Sequence, residues 1–338
     1  MVTETTQVKA KGSFLNSFKN LGLQKLLALS ALVILYVFFG IFGQNFATSD
    51  TLVSILNSSY YTGFMALGTT FVIITGGIDL SMGTVMMGSA LIGGVAYNVW
   101  HLPIAMALLI VVLSGTLFGL LNGLLIAKLG LPPFIATLGT QFGSLGLCSV
   151  IANVQTQSYP AITDKDGWFK SVFFKTESGF PTGIIWLAIF FLIAFILLNK
   201  TRMGRYTFAI GSNEEAARLS GINTGNWKIL VYTFAGLYSG IAGVLYAATY
   251  TSIVPQTGNG LEMYAIAACV IGGTSLAGCI GSLAGTVIGV FVITVLKNGL
   301  MSMGLQVQWQ TFFIGVVVIL AVLLDIYRNK QQNKVKKA

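Results

Sequence analysis

The residues best suited to chemistry in this chain lie in three short polar motifs between apolar runs. VIITGGIDLSMG, at residues 72–83, places Asp79 and Ser81 after a pair of glycines. SNEEAARLSG, at residues 212–221, combines two acids with an arginine and a closing glycine. LEMYAIAACVIGGTSLAG begins at Leu261 and carries the acid Glu262. Because burying a charge in a membrane is costly, an acid at membrane depth is a functional candidate by default.

Side chains for covalent or metal chemistry are scarce. His101 is the single histidine, and the three cysteines (Cys148, Cys269 and Cys279) lie in apolar runs without metal-type spacing. We expect all three to be small buried thiols. The sequence has no G-x-x-x-x-G-K-[ST] phosphate loop, so it has no ATPase site of that kind. These features argue against an enzyme and predict no cofactor or metal ion bound by this chain itself.

The elements that position these motifs are predicted to be membrane spans. Charged residues make up 9% of the chain and hydrophobic residues 55%, whereas a soluble domain carries about 25% charged residues. Since roughly 20 apolar residues cross a bilayer, we predict an all-α, polytopic transmembrane helical bundle with about ten spans. The predicted spans are residues 26–43, 52–75, 80–99, 103–127, 132–153, 183–199, 229–250, 261–280, 282–298 and 309–327. Glycines interrupt the third, eighth and ninth, which favours broken or re-entrant helices there.

The basic residues indicate how the bundle is oriented. The net charge of +9 comes largely from lysines and arginines that flank the spans, as the positive-inside rule predicts for cytoplasmic segments. We therefore expect both termini to be cytoplasmic and no nucleic acid to bind. The predicted units are a cytoplasmic leader (1–25), a transmembrane domain (26–327) with a cytoplasmic loop (200–228) and an outer loop (154–182), and a basic cytoplasmic tail (328–338).

Glycine spacing predicts close helix packing and a weak internal repeat. Glycines recur every fourth residue at positions 115, 119 and 123, and again at 281, 285 and 289, which lets two helix backbones approach closely. Gly76-Gly77-x-x-Leu80 recurs as Gly272-Gly273-x-x-Leu276, an offset of 272 − 76 = 196 residues. Repeats with interrupted helices mark the translocation pathway in many transporters.

Two roles remain open for the acids near the glycine motifs. Asp79 or Ser81 can cap the helix that follows the Gly76–Gly77 turn, with the acid at the positive helix end. Alternatively, these residues contribute directly to a solute pathway. Glu262 has the same ambiguity, either as a first-turn acid of the eighth span or as a polar gate residue at its outer start.

The motif at residues 212–221 predicts a short, self-sufficient cytoplasmic helix. Ser212 and Glu215 match a capping box, and Glu214 and Arg218 have the spacing of a favourable i,i+4 pair. Gly221 can supply the left-handed residue that ends a helix. Such a helix is either an ordinary connection between spans or a knob that docks into a cytoplasmic partner.

Four motifs of this chain resemble those of a known family of membrane proteins. Glu215-Ala216-Ala217-x-x-x-Gly221 resembles the EAA–G coupling motif of ABC importer permeases. Together with TGGIDLSMG, NKTRMGRYTFAIGSNEEAARLSGIN and LEMYAIAACVIGGTSLAG, it resembles the bacterial ribose/galactose/xylose/arabinose permeases from about Leu52 to Asp325. Cys279 departs from that pattern, because these permeases usually have glycine there.

The resemblance implies the permease subunit of an ATP-driven sugar importer in a bacterial inner membrane. It implies a second permease copy or paralogue, an ATP-binding subunit that binds ATP and Mg, and an extracytoplasmic sugar-binding protein. The coupling residues would be Glu214, Glu215, Ala216, Ala217, Arg218 and Gly221, and the pathway candidates Gly76, Gly77, Asp79, Ser81, Glu262, Gly272 and Gly273.

Three alternatives remain open from the residues. The first is a proton-coupled secondary transporter that uses Asp79 and Glu262 as titrating groups. The second is an ABC permease for nucleosides or another small polar solute, and the third is a passive channel. A channel needs no cytoplasmic docking helix, so the motif at residues 212–221 favours an ABC permease.

Overall fold

A computed structural model describes residues 25–176 and 179–337, with side chains as far as residue 327. The predicted leader, apart from Lys25, and the side chains of the predicted tail lie outside the described residues. The described helices are α1 (Lys25–Phe42), α2 (Ser49–Ile74), α3 (Met82–Asn98), α4 (Ile104–Ala127), α5 (Pro133–Ile151), α6 (Trp168–Phe173), α7 (Gly183–Lys200), α8 (Arg202–Ser212), α9 (Glu214–Leu219), α10 (Thr224–Thr249), α11 (Leu261–Ile271), α12 (Leu283–Ser302) and α13 (Val307–Lys337). Strand β1 (Gln157–Ser158) pairs antiparallel with β2 (Ser252–Ile253).

The predicted all-α membrane bundle is confirmed. Among the described residues, seven helices are long and apolar enough to cross a membrane, namely α1, α4, α5, α7, α10, α12 and α13. Helix α2 is 26 residues long but rich in serine, threonine and tyrosine, while α3 has 17 residues and α11 only 11. The number of ten spans therefore remains a prediction.

The bundle is built around α2. Every residue from Ser58 to Ile74 is buried, and α2 contacts α7, α10, α11 and α12. Large apolar side chains on the outer helices, such as Leu117 of α4 and Leu323 of α13, are exposed instead. This distribution fits a bundle whose outer surface faces lipid, since exposed leucine costs nothing in a hydrocarbon solvent.

The glycine spacing in α4 and α12 reflects close backbone contact, as predicted. A Cβ atom added to Gly119 would lie 2.7 Å from the Cα of Gly236 on α10. One added to Gly285 would collide with the backbone of Gly272, and one on Gly289 with the carbonyl of Ala268. The α4–α10 and α11–α12 pairs therefore pack backbone to backbone.

Two helices are interrupted next to the glycine motifs. The predicted eighth span, residues 261–280, is interrupted as its glycines indicated, because α11 ends at Ile271 and a turn with left-handed Gly273 (φ +93°) follows. Gly76 (φ +79°) makes the corresponding turn after α2. Gly76 and Gly273 each lie two residues past a helix end, so the structural offset is 273 − 76 = 197 residues, one more than the sequence repeat. The breaks expected within the third and ninth spans are wrong, because α3 (Met82–Asn98) and α12 (Leu283–Ser302) are each one continuous helix.

The two turns lie against each other. The N–H of Cys279 donates to the carbonyl of Ile74, at 2.9 Å. Gly211, near the end of α8, packs against the same carbonyl so closely that a side chain has no room. The turns and the α8–α9 segment therefore meet at one end of the bundle.

Candidate functional site

Asp79 lies inside the bundle, in the link between α2 and α3. It is 1% exposed, and its Oδ1 accepts hydrogen bonds from the Ser81 N–H at 2.9 Å and the Ser81 hydroxyl at 2.6 Å. Ser81 occupies the N-cap of α3 but its side chain makes no cap hydrogen bond. Of the two suggested caps, Ser81 makes no side-chain cap, since its hydroxyl oxygen accepts from Asn122 and from no backbone N–H of α3. Asp79 bonds to Ser81 itself.

A hydrogen-bonded network extends from Ser81 across three helices. Asn122 of α4 donates to the Ser81 hydroxyl at 2.9 Å. Thr84 donates to the Ser81 carbonyl at 3.0 Å and accepts from Ser144 of α5 at 2.9 Å. Such connections replace the water that these polar groups lack in a membrane.

Glu262 belongs to the same region. It is 2% exposed, and its Oε1 accepts from the Gln141 amide at 3.1 Å and from the Gly260 N–H at 3.0 Å. The Gln141 amide also donates to Asn259, at 2.8 Å. Since α11 is about 16 Å long at 1.5 Å per residue and ends beside the glycine turns, Glu262 lies within the bundle. Glu262 lies in the first turn of α11, and its position relative to the outer membrane boundary stays a prediction.

The inner face of α5 connects these two acids. Its buried residues include Thr137, Thr140, Gln141 and Ser144, whereas Phe142 on the outer face is 63% exposed. Thr137 accepts from the Leu80 N–H at 3.2 Å. Helix α5 is thus joined by hydrogen bonds to the segments before α3 and α11. We call the buried residues Asp79, Ser81, Thr84, Asn122, Thr137, Gln141, Ser144 and Glu262 the polar core.

Neither acid of the polar core has a basic partner among the described residues. The two ion pairs among the described residues are Glu215–Arg218 and Glu214–Lys228, and both lie at α9. The hydroxyl of Tyr232 packs against Gly77 and has no hydrogen-bond partner among the described residues. The polar core therefore offers hydroxyls, amides and carboxyl groups, and no positive charge.

The sequence interpretation missed several members of this region. Asn122, Gln141 and Ser144 stand inside apolar runs, and an amide in such a run is the signal that finds them. Lys297 of α12, a charged residue inside an apolar run, was also missed. Its Nζ lies 3.4 Å from the Tyr61 hydroxyl and 5.7 Å from the Tyr264 ring centroid.

The predicted cytoplasmic helix is present as α9, but its contacts differ from the prediction. Its N-cap is Asn213, whose Oδ1 accepts from the Ala216 N–H at 2.9 Å. The predicted capping box is wrong because Ser212 is the last residue of α8. The predicted Glu214–Arg218 pair is also wrong.

The acids of α9 pair elsewhere. Arg218 lies 3.6 Å from Glu215, one helix turn away, and Glu214 lies 2.5 Å from Lys228 at the start of α10. Gly221 has φ +83°, as predicted, and ends the helix. Ala217 is buried, whereas Leu219 is 80% exposed. Helix α9 is thus held by one face and presents Glu215, Arg218 and Leu219 outward.

The cysteines divide into two buried thiols and one exposed thiol. Cys148 and Cys269 are buried, as predicted, whereas the prediction that Cys279 is buried is wrong, because it lies in an exposed turn. Cys279 has φ +64°, a left-handed conformation that favours glycine. The turn geometry thus explains why a glycine suits this position.

The segment predicted as the outer loop, residues 154–182, fastens the chain that leads towards Glu262. Tyr159 donates its N–H to the carbonyl of Thr251, at 2.8 Å. The Lys170 Nζ donates to the Thr251 hydroxyl, at 3.1 Å. Burial lowers the pKa of Lys170, and nearby Asp164 opposes that shift. These contacts anchor the end of α10 at the loop.

The fold and the polar core define the class of protein: a multi-pass helical membrane protein built around interrupted helices, as solute permeases are. The chain belongs to the family described as "Branched-chain amino acid transport system / permease component", which matches residues 51–322. The resemblance inferred from the motifs is thereby confirmed.

Curated relatives of the same kind are similar over most of their length. The ribose import permease protein of Escherichia coli K12 is 38% identical over 310 residues, covering 90% of this chain and 94% of its own. The ribose import permease protein of Bacillus subtilis is 37% identical over 304 residues, covering 90% and 93%. The galactose/methyl galactoside import permease protein of Haemophilus influenzae is 36% identical over 285 residues, covering 80% and 85%.

Proposed function

We propose that this chain is the permease subunit of an ATP-driven importer for a simple sugar such as ribose or galactose. The observation that carries this proposal is α9, a short helix tied to α10 that presents Glu215, Arg218 and Leu219 outward beside the glycine turns. A secondary transporter or channel has no use for such a docking element. The relatives named for ribose and galactose import support a sugar as the solute.

The chain would work with several partners. An ATP-binding subunit would bind ATP and Mg and receive α9 on the cytoplasmic side. A second permease copy or paralogue would complete the pathway, and an extracytoplasmic binding protein would deliver the sugar. Both termini would be cytoplasmic, in a bacterial inner membrane. The basic residues that flank the spans support this orientation.

The pathway candidates divide into two groups in this proposal. Gly76, Gly77, Gly272 and Gly273 belong to the turns that α8 contacts through Gly211, so they would receive the movement of the ATP-binding subunit through α8. Asp79, Ser81 and Glu262 would hold the ends of the interrupted helices together within the polar core. Their contacts to Gln141, Asn122 and Thr84 support a holding role.

The test is sugar uptake by proteoliposomes that contain the permease and the ATP-binding subunit. We expect uptake of the sugar from its binding protein to require ATP inside the vesicles and to survive a protonophore. Uptake that follows the proton gradient instead would establish the secondary transporter. Uptake that persists without ATP after deletion of residues 212–221 would establish the channel.

A further inference from the structure

The link between α10 and α11 carries an inference of its own. Its outer end is fixed, because β2 pairs with β1 and Tyr159 donates to Thr251. Its inner end is Gly260, the residue that precedes α11. We call residues 254–260 the descending segment, because this stretch joins the outer loop to the polar core. Its seven residues span at most about 25 Å when extended.

The descending segment passes between α3 and α5, from Ser149 near the end of α5 to Gly83 at the start of α3. The Gln256 N–H donates to Ser149 of α5, at 3.2 Å. Gly258 is packed so tightly that an added Cβ would lie 2.7 Å from the carbonyl oxygen of Gly83 on α3. The segment then reaches Glu262, which lies about one 11-residue helix, or about 16 Å, from the glycine turns.

The backbone here is irregular and partly exposed. Gln256, Gly258 and Gly260 have φ values of +57°, +105° and +91°. Gln256, Thr257, Asn259 and Gly260 are exposed. Lipid cannot satisfy the N–H and C=O groups of such a segment, so irregular backbone at membrane depth occurs only where protein buries it or where it lines a water-filled cavity. Exposure within this chain excludes burial by the subunit itself.

From this geometry we infer that the exposed side of the descending segment lines the aqueous route of the transported solute. Gln256, Thr257 and Asn259 are its polar contacts. They offer amides and a hydroxyl without charge, which suits a neutral, hydroxyl-rich solute. This inference rests on the proposed sugar transport for the identity of that solute.

Little space is left between the segment and helices α3 and α5. The hollow there has a volume of about 10 Å³ and is lined in part by Thr84, Cys148 and Ser149, together with one side of Gln256 and Thr257. That volume is close to what a single water molecule needs and excludes a sugar. The solute therefore passes on the exposed side, away from the polar core.

Cysteine reactivity tests the inference. In a background with Cys148→Ala, Cys269→Ala and Cys279→Gly, Thr257→Cys is compared with Leu117→Cys. Leu117 lies near the middle of α4 and is 63% exposed, so it samples the lipid-facing surface at mid-membrane. A small, charged, membrane-impermeant methanethiosulfonate needs a thiolate in water, so we expect Thr257→Cys to react about tenfold faster or more.

Rates are measured on the assembled transporter in proteoliposomes, without nucleotide and after trapping with ATP and vanadate. A rate for Thr257→Cys that is fast in either state supports the inference, and one that matches Leu117→Cys in both overturns it. Modification should also abolish sugar uptake by Thr257→Cys and leave Leu117→Cys unaffected. Full uptake after complete modification of Thr257→Cys would overturn the assignment to the sugar route.

The same vesicles separate this inference from the proposed function. The unmodified cysteine-free parent shows whether uptake requires ATP. ATP-dependent uptake with a slow Thr257→Cys reaction refutes the descending segment alone. A fast reaction with ATP-independent uptake refutes the ABC importer and leaves the aqueous lining in place.

Discussion

The ion pair between Glu214 and Lys228 gives the sharpest prediction, because it joins α9 to α10 directly. The Lys228 Nζ lies 2.5 Å from the Glu214 Oε2, with the side chains 20% and 47% exposed. Beyond α8, α9 has few other contacts with the bundle, mainly through buried Ala217. The pair therefore sets the direction in which α9 points at its partner.

The expected effect follows from the exposure of the pair. Partly exposed ion pairs contribute about 0.5–1 kcal/mol. If that free energy pre-orients α9, Lys228→Met should weaken binding of the ATP-binding subunit by about two- to fivefold. Lys228→Arg keeps the charge and should restore affinity. The assay is binding of the detergent-solubilised permease to the purified ATP-binding subunit, with the amount of folded permease measured by size-exclusion chromatography.

A double-mutant cycle decides whether the effect comes from the pair. Glu214→Gln, Lys228→Met and the double variant should give a coupling energy of about 0.5–1 kcal/mol. The Glu215–Arg218 pair, at 3.6 Å and with both side chains more than two-thirds exposed, is the matched control and should couple more weakly. Purely additive effects of Glu214→Gln and Lys228→Met would refute the tether.

Three further predictions address α9, packing and topology. Gly221→Val should insert normally but bind the ATP-binding subunit poorly in co-purification, because a β-branched residue disfavours φ +83°; full partner binding would contradict this. Gly119→Leu should lower the yield of folded permease in size-exclusion chromatography, because the added side chain drives α4 away from α10. Gly315→Leu is the control and should not lower the yield, since nothing lies within 4 Å of its added Cβ. Equal yields would show that the contact is dispensable. Single cysteines at Asp166 and Asn213, in the cysteine-free background, should label with impermeant reagents from opposite sides of the membrane, and labelling of both from one side would refute the predicted topology.

Features that depend on local pattern could be predicted from the sequence. The long apolar runs and low charge determined a helical membrane bundle, since about 20 continuous apolar residues cross a hydrocarbon core as a helix that satisfies its own backbone. Glycines every fourth residue determined backbone contact at Gly119 and Gly285, because that spacing puts small residues on one helix face. The left-handed conformation of Gly221 was also predictable, because it depends only on that residue and its neighbours in sequence.

Features that depend on distant partners were decided only by the tertiary structure. Gln141 and Glu262 are 121 residues apart in sequence and 3.1 Å apart in space, and no periodicity connects them. The Ser212–Glu215 capping box was mispredicted although its motif fitted, because α8 extends through Ser212. The Glu214–Arg218 pair was mispredicted because Lys228 approaches Glu214 from α10. A buried polar side chain in a membrane must find a donor or acceptor within the protein. Which one it finds is set by helix packing, and short-range sequence patterns do not specify that packing.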